Sequence, residues 1–246
     1  MGVAECEFCG DARESLAVAG LPWAVYKPCM CEGAVANRSA EDREAESRAE
    51  EAKETDRRFQ VARFFEEIPD HFRDRTFESY RVTPENRAAY LMARNWPPTG
   101  GKQSLLFMGE PGTGKTHLAA AIAINQVKLN RAVIFGTVPT ILGRIKATFD
   151  DNRASEAEVK RIIMGCSLLV LDDLGKEKPS EWVEEVLYEI INARYVKKLP
   201  VIITTNVGLK AVEARYAWNG KAITSRLFEM CTGANVGGED YRRRRC

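Results

Sequence analysis

The stretch that decides the fold is GEPGTGKT, formed by Gly109, Glu110, Pro111, Gly112, Thr113, Gly114, Lys115 and Thr116. It follows an apolar run at 105–108 and precedes a pattern that predicts a helix over 116–129. Glycines allow the backbone to curl so that successive N–H groups face one anion, and the start of the helix adds a partial positive charge. The eight residues therefore predict a loop that binds the phosphates of a nucleotide.

Lys115 and Thr116 supply the charged and the metal-binding side chains of this loop. The ammonium group of Lys115 is long enough to reach the β- and γ-phosphates, and the hydroxyl of Thr116 can coordinate the Mg²⁺ ion that bridges them. The sequence therefore predicts a nucleoside triphosphate with magnesium as the ligand.

Two acidic residues end another apolar run. Asp172 and Asp173 directly follow residues 168–171, so their carboxylates are expected at the carboxyl end of a strand beside the phosphate loop. Asp172 is expected to hold the Mg²⁺ shell, and Asp173 is expected to polarise the attacking water. Because Asp173 is one methylene shorter than the glutamate common in this role, slow turnover is expected.

Asn206 ends the next apolar run and is a third candidate for hydrolysis. From the same edge of the sheet its amide could hydrogen-bond both the γ-phosphate and the water. The sequence contains no Asn-Lys-x-Asp motif for reading guanine, so ATP is the expected nucleotide.

Short apolar runs alternate with helical patterns from residue 103 onward. Such runs suit strands that are buried on both faces of a parallel sheet, with helices between them. The fold class is therefore predicted to be α/β, with three layers around a parallel sheet. The four predicted strands are 105–108, 132–135, 168–171 and 201–204.

Composition and charge exclude several classes of protein. The longest apolar stretch, 118–124, is 7 residues long, whereas roughly 20 are needed to span a bilayer, so no membrane association is expected. A net charge of +1 excludes a polycationic nucleic-acid coat. Glu5 and Glu7 stand where a signal peptide would carry Lys or Arg, and the expected location is therefore cytoplasmic.

Four of the seven cysteines lie within the first 31 residues. Cys6 and Cys9 form one close pair, and Cys29 and Cys31 form another, which gives four thiolates for a closed tetrahedral zinc site. A segment of about 30 residues buries too little apolar surface to fold alone, so a metal would have a structural purpose. Reduced or disulfide-linked pairs are the alternatives, although a cytosolic context disfavours disulfides.

Composition also divides the chain into three parts. Between residues 38 and 63 there are 15 charged residues in 26, with no Gly or Pro, which predicts a solvated helical connector. The predicted parts are a zinc-binding N-terminal module at 1–35, a charged helical linker at 36–66 and an ATPase domain at 67–246.

Taken together, the motifs resemble those of the AAA+ ATPases, and more narrowly the DnaC-type helicase loaders and the related IstB-type transposition ATPases. The segments that carry the resemblance are Ile68-Pro69, Phe72-Arg73, Thr76-Phe77, Pro84-Glu85-Asn86-Arg87, 109–116, Asp172-Asp173-Leu174-Gly175 and Thr204-Thr205-Asn206. The resemblance covers most of the chain and implies an AAA+ ATPase domain. It also implies an abbreviated C-terminal lid, because only 40 residues follow Asn206, and it disfavours an initiator of the DnaA type.

The resemblance further implies roles for two C-terminal arginines. Ser225-Arg226-Leu227 is similar to the box that presents an arginine finger, so Arg226 is expected to reach the γ-phosphate of a neighbouring subunit. Hydrolysis would then depend on self-association through the ATP site. Arg242 lies in a segment similar to the Tyr-Arg ending of these loaders and is expected to act as a second nucleotide sensor, with the arginines at 243–245 as alternatives.

The function implied by the resemblance is that of an ATP-dependent helicase loader. Its N-terminal module would bind the replicative hexameric helicase, and its ATP cycle would assist loading onto single-stranded DNA. Two alternatives are an IstB-type ATPase that delivers a transposase to DNA and a nucleotide-gated DNA-binding adaptor with little hydrolysis. Relatives contact DNA between residues 138 and 165, where the candidates are Arg144, Lys146, Phe149, Lys160 and Arg161, with nearby acids that nearly cancel their charge.

Overall fold

The structure is a computed structural model that describes residues 4–13, 15–16, 25–64, 68–97, 103–148 and 155–243. Its contacts divide the chain into two compact units, with the border between Arg57 and Arg58. Within the described ranges, none of the helices has both the length and the apolar character needed to cross a membrane.

The smaller unit contains the clustered cysteines and most of a long helix. Two short strands, β1 (Ser15–Leu16) and β2 (Val25–Tyr26), pair in antiparallel orientation. A long helix, α1 (Glu32–Phe64), runs through most of the segment predicted as a charged helical linker and begins before residue 36. Its exposed face includes the ion pair of Glu44 with Arg48 at 2.8 Å. The borders of the three predicted parts stay a prediction.

A parallel sheet of five strands forms the centre of the larger unit. Its strands lie side by side in the order β4-β5-β6-β3-β7. The strands are β3 (Ser104–Met108), β4 (Val133–Thr137), β5 (Leu168–Leu174), β6 (Val201–Thr205) and β7 (Cys231–Asn235). The first four coincide with the four predicted apolar runs, apart from Ala132, which precedes β4, and this confirms the α/β fold class. The sequence did not predict β7, because Cys-Thr-Gly-Ala-Asn is neither an apolar run nor an alternating one.

Helices cover both faces of this sheet. They are α2 (Arg87–Arg94), α3 (Lys115–Lys128), α4 (Val138–Ala147), α5 (Glu156–Gly165), α6 (Glu181–Val196), α7 (Leu209–Arg215) and α8 (Gly220–Met230). One apolar cluster joins the sheet to α2 and α3, and a second joins it to α4, α5, α6 and α8. Each strand contributes to both clusters, since successive side chains point to opposite faces. The three predicted layers are therefore confirmed.

Two local features are the cap of α6 and the path of the chain after β7. The Ser180 hydroxyl accepts a hydrogen bond from the backbone N–H of Val183 at 3.3 Å, which confirms Ser180 as the predicted cap of α6. After β7 the described chain reaches residue 243 without a further α-helix. Residues 236–243 instead pass close to the phosphate loop, where the backbone N–H of Tyr241 donates to the carbonyl of Gly112 at 3.2 Å.

Candidate nucleotide-binding site

The phosphate loop lies between the end of β3 and the start of α3, as the motif predicts. Gly112 and Gly114 have φ angles of +79° and +100°, a region of backbone conformation that favours glycine. A Cβ atom at Gly112 would collide with the carboxylate of Asp240, and one at Gly114 would lie 2.9 Å from the ring of Tyr80. Glycine is therefore required at both positions by backbone conformation and by close neighbours.

Lys115 is buried at the start of α3, with 4% of its surface exposed. Its ammonium group donates to the backbone carbonyls of Gly109 and Glu110 at 2.8 and 2.7 Å. Burial lowers the pKa of this ammonium group, and the nearby carboxylates of Asp173 and Asp172 act in the opposite direction. The cation is thus held at the mouth of the loop, where a phosphate chain would lie.

Thr116 and Asp172 meet directly, as expected of two ligands of one magnesium ion. The Thr116 hydroxyl donates to Oδ1 of Asp172 at 2.8 Å, and the Thr204 hydroxyl donates to the same oxygen at 2.6 Å. Burial raises the pKa of the Asp172 carboxyl, although these two hydrogen bonds lower it. A buried carboxylate beside a hydroxyl is a donor set that suits Mg²⁺, which prefers oxygen ligands.

Asp173 and Asn206 also lie together at this edge of the sheet. The Asn206 amide nitrogen is 3.4 Å from Oδ1 of Asp173, a long hydrogen bond. Asp173 has a φ of +59°, which is strained for a non-glycine residue, and its backbone N–H donates to the Thr204 hydroxyl at 2.9 Å. The carboxylate is also paired with Lys176 at 2.7 Å, a partner that the sequence did not predict.

A cleft of about 330 Å³ connects these groups. Asp173, Lys176 and Asn206 line one part of it, and Arg242 lines it as well. The structure thus brings Arg242 to the same cleft as the phosphate loop. The cleft is also lined by Tyr80 and other side chains of the segment before α2, namely Phe72, Arg75, Ser79 and Arg81.

Arg226 does not line this cleft, and neither do the predicted site residues Gly109, Glu110, Thr113 and Asp172. Arg226 lies on α8, and its guanidinium group contacts α6. Among the described residues, Arg226 therefore contributes no side chain to the lining of this cleft.

The four clustered cysteines bring their sulfur atoms within 4.8 Å of one another. The Sγ atoms of Cys6 and Cys31 are 3.8 Å apart, and those of Cys9 and Cys29 are 3.6 Å apart. Zinc–sulfur bonds of about 2.3 Å in a tetrahedron place sulfur atoms about 3.8 Å apart, whereas a disulfide bond is about 2.05 Å long. The spacing therefore fits a zinc ion and does not fit disulfides.

Backbone N–H groups favour a thiolate at Cys6, whereas burial and the neighbouring Cys29 thiol raise the pKa of the Cys9 and Cys31 thiols. The N–H groups of Phe8 and Cys9 hydrogen-bond the Cys6 sulfur and lower the pKa of its thiol to about 6. A third N–H group, that of Ala34 in the first turn of α1, lies 3.4 Å from the sulfur of Cys31. Such hydrogen bonds orient sulfur ligands around a metal and stabilise their charge.

Two buried polar residues, Thr204 on β6 and Glu184 on α6, were not predicted from the sequence. The Thr204 hydroxyl on β6 contacts both acidic residues of β5. These contacts depend on the register of β5 against β6, which the sequence alone does not give. His117, predicted to pack, does so: its Nε2 atom is 2.8 Å from the carbonyl of Thr76, and its ring lies edge-on to Tyr80 at 5.0 Å. Glu184 is completely buried and accepts backbone hydrogen bonds at the start of α8. The sequence signal that could have identified Glu184 is an acid between Val183 and Val186, on the apolar face of a predicted helix.

The proposed DNA segment carries less unpaired charge than its composition suggests. Lys160 contacts both Glu156 and Glu189 at 2.8 Å, so its charge is compensated within the protein. Arg144 and Lys146 lie in the last turns of α4, and Arg161 lies on α5. Phe149, the predicted stacking ring, is outside the described residues.

Comparison with known proteins identifies relatives along most of the chain. The family model of the IstB-like ATP binding protein matches residues 40–246. The replicative helicase loader DnaC of Escherichia coli K12 is 33% identical over 138 residues, which are 55% of this chain and 56% of the loader. The insertion sequence IS21 putative ATP-binding protein of Pseudomonas aeruginosa is 27% identical over 142 residues, 57% of this chain and 52% of that protein. The chain thus spans little more than half the length of these relatives.

Solved structures share the architecture of the larger unit. A crystal structure of the DnaC helicase loader superposes with a TM-score of 0.58 at 28% identity, covering 68% of this chain and 99% of that one. The AMPPCP-bound DnaA of Aquifex aeolicus has a TM-score of 0.54 at 19% identity over 67% of this chain and 51% of that one, which shows a shared fold alone. With an AAA+ fold, a phosphate loop and a family match over residues 40–246, the chain belongs to the IstB-like ATP-binding proteins.

Proposed function

We propose that this protein is a cytoplasmic ATPase that loads a replicative hexameric helicase onto single-stranded DNA. The observation that carries the proposal is the contact of the phosphate loop with the acidic strand end, through the 2.8 Å hydrogen bond between Thr116 and Asp172. The 33% identity to a replicative helicase loader supports the choice of partner.

ATP is the proposed substrate, and the predicted site residues have separate tasks. Lys115 and the N–H groups of the phosphate loop bind the phosphates, while Thr116 and Asp172 would hold magnesium, which neutralises phosphate charge when bound. Asp173 orients and polarises a water molecule, and Asn206 holds the same water near the γ-phosphate. Arg242 binds phosphate as a nucleotide sensor from the C-terminal segment.

Arg226 would complete this set from a neighbouring subunit. An arginine supplied in trans stabilises the charge that develops on the transferred phosphoryl group. ATP binding would then favour self-association, and hydrolysis would release the assembly. The ion pair of Asp173 with Lys176 at 2.7 Å supports slow turnover in the isolated protein, because the carboxylate must exchange this partner for water.

The N-terminal cysteines are proposed to hold zinc and to form the arm that binds the helicase. When bound, zinc would fold this small unit by linking four sulfur ligands. The arm is then independent of the ATP site, which is built entirely from the larger unit.

A second candidate function is a transposition accessory ATPase. The matching family model and the 27% identity to an IS21 protein favour it. The two functions share the ATP site and differ in the protein partner. A third possibility, a DNA-binding adaptor with little hydrolysis, is separated from both by steady-state phosphate release with and without single-stranded DNA.

Co-purification tests the choice of partner. The full chain should bind the hexameric helicase of its own genome, and the Cys9→Ser variant should bind it more weakly. Lys115→Ala serves as the matched control, since it should abolish ATP binding but leave zinc content unchanged. Absence of helicase binding by the intact protein, together with binding of a transposase, would replace the first function by the second.

A further inference from the structure

The guanidinium group of Arg226 is held by three neutral partners, two on α6 and one on α8. Its Nε donates to Oδ1 of Asn192 at 2.7 Å, and its Nη2 donates to the hydroxyl of Tyr188 at 3.0 Å. Its Nη1 donates to the backbone carbonyl of Ala222, one turn earlier on α8, at 3.0 Å. The guanidinium carbon also lies 4.7 Å from the centre of the Tyr188 ring.

These contacts leave the charge of Arg226 uncompensated. Among the described residues, no carboxylate lies within 4.0 Å of its nitrogen atoms in an ion pair. Its hydrogen-bond partners are an amide, a phenol and a backbone carbonyl, all of them neutral. The side chain therefore keeps a full positive charge in a fixed, half-buried position.

The Arg226 guanidinium group has N–H groups that its three partners do not use. A guanidinium group has five N–H bonds, one on Nε and two on each Nη atom. The three contacts use one N–H from each nitrogen, which leaves one on Nη1 and one on Nη2. Two N–H groups on adjacent nitrogen atoms form the fork that binds a phosphate or carboxylate.

Tyr188 and Asn192 also line an open groove of about 440 Å³. Among its charged residues, Lys160 is paired with Glu156 and Glu189 at 2.8 Å, and the other cations are Arg161 and Lys197. The residues that hold Arg226 are one turn apart on α6, so they present one continuous face toward α8.

We propose that Tyr188 and Asn192 are positioning residues that aim Arg226 at the terminal phosphate of ATP bound to a second copy of this chain. The proposal rests on the arginine-finger role given to Arg226 above. Tyr188 and Asn192 do not touch the nucleotide, and they act by fixing the orientation of the guanidinium group before assembly. Neither residue lines the chain's own ATP cleft, so binding of ATP by the same subunit does not depend on them.

Steady-state ATP hydrolysis by the full-length protein at assembling concentrations tests this role. Tyr188→Phe and Asn192→Ala should each lower kcat about tenfold, the value of one hydrogen bond to a charged group, with KM for ATP unchanged. Tyr195→Phe is the matched control and should leave kcat unchanged. This tyrosine also lies on α6, but its hydroxyl donates to Glu229 at 2.8 Å and its ring centre is 5.9 Å from the guanidinium carbon.

Mixed assemblies of Lys115→Ala and Asn192→Ala subunits distinguish a positioning role in trans from a structural defect in the Asn192→Ala protein. Lys115→Ala subunits do not bind ATP but retain Arg226 with intact partners, so adding them to Asn192→Ala subunits should restore hydrolysis at the intact ATP sites. A merely destabilised Asn192→Ala protein would not be rescued, and that result would overturn the proposal.

Arg226→Ala distinguishes failure of this inference from failure of the proposed function. If Arg226→Ala lowers kcat about tenfold or more but Tyr188→Phe and Asn192→Ala do not, only the positioning role is wrong. If Arg226→Ala itself retains full kcat in the assembled protein, the arginine-finger role is wrong as well.

Discussion

Burial of the Asp172 carboxyl lowers the free energy of unfolding at neutral pH, while it places a carboxylate in the candidate site. Only 3% of its surface is exposed, and burial raises the pKa of its carboxyl despite hydrogen bonds from Thr204 and Thr116. The folded protein therefore binds this proton more tightly than the unfolded chain. Its contribution to the free energy of unfolding falls as pH rises from the ordinary pKa of an aspartate through the raised value. A magnesium ion would offset this cost.

Asp172→Asn should consequently stabilise the protein and inactivate it. The free energy of unfolding at neutral pH should rise by about 1 kcal/mol, because the amide has no charge to desolvate, while magnesium-dependent ATP hydrolysis is lost. Urea unfolding at several pH values measures the first effect. The gain should shrink as acid protonates the wild-type carboxyl. A variant that is less stable than wild type at neutral pH would contradict this account of Asp172.

Tyr80→Phe addresses a second buried polar group. The Tyr80 hydroxyl is buried and has no hydrogen-bond partner among the described residues. Its removal should leave the free energy of unfolding unchanged or raise it by about 1 kcal/mol, since an unsatisfied hydroxyl is costly to bury. Tyr90→Phe, which alters the ring stacked on Tyr80 at 5.6 Å, is the control. Clear destabilisation by Tyr80→Phe would reveal an internal partner for the hydroxyl.

Sequence alone predicts the acids of the site better than their partners. Asp172, Asp173 and Asn206 follow apolar runs, and parallel strands bring such ends to one edge of a sheet. Thr204 and Lys176 could not be assigned in this way. The first depends on strand register, and the second depends on the left-handed backbone at Asp173, which turns the chain so that Lys176 reaches back to its carboxylate.

At the scale of elements, a buried acid connects α6 to the segment that carries Arg226. Both carboxylate oxygens of Glu184 accept backbone N–H groups at the start of α8, from Ala217 at 3.0 Å and from Trp218 and Asn219 at 2.8 Å. These N–H groups have no partner within the helix, and a negative charge there complements the helix dipole. Glu184 therefore fixes where α8 begins.

Glu184→Gln should weaken this connection measurably. One of the two acceptor oxygens and the charge are lost, so the free energy of unfolding should fall by about 2 kcal/mol. The neighbouring Glu185→Gln is the matched control because Glu185 is exposed and should change stability little. Denaturant titration of both variants gives the comparison. Equal stability of the two would contradict the capping role of Glu184.

The element that sequence analysis missed also depends on tertiary structure. β7 pairs with β3 along its whole length, from Ser104 against Cys231 to Met108 against Asn235. Its polar and small residues are tolerated because it lies at the edge of the sheet, where one side needs no neighbouring strand. Local propensity gives no signal for such a strand.

At the scale of the whole molecule, the cysteine cluster and the phosphate loop belong to separate units. Cys9→Ser should therefore lower zinc content from about one ion per chain while leaving ATP affinity unchanged. Elemental analysis and nucleotide titration of the same sample measure both quantities. Unchanged zinc content would reject the cysteine assignment, and a parallel loss of ATP binding would contradict the independence of the two units.

The central claim is that the loop from Gly109 to Thr116 and the acids of β5 form an ATP site. Equilibrium dialysis with ATP and magnesium tests it most directly, on folded full-length protein and on Lys115→Ala. The wild type should bind about one nucleotide per chain, as expected for a single phosphate loop, and the variant should bind none at the same concentration. Lack of uptake by the wild type, or equal uptake by the variant, would contradict the claim.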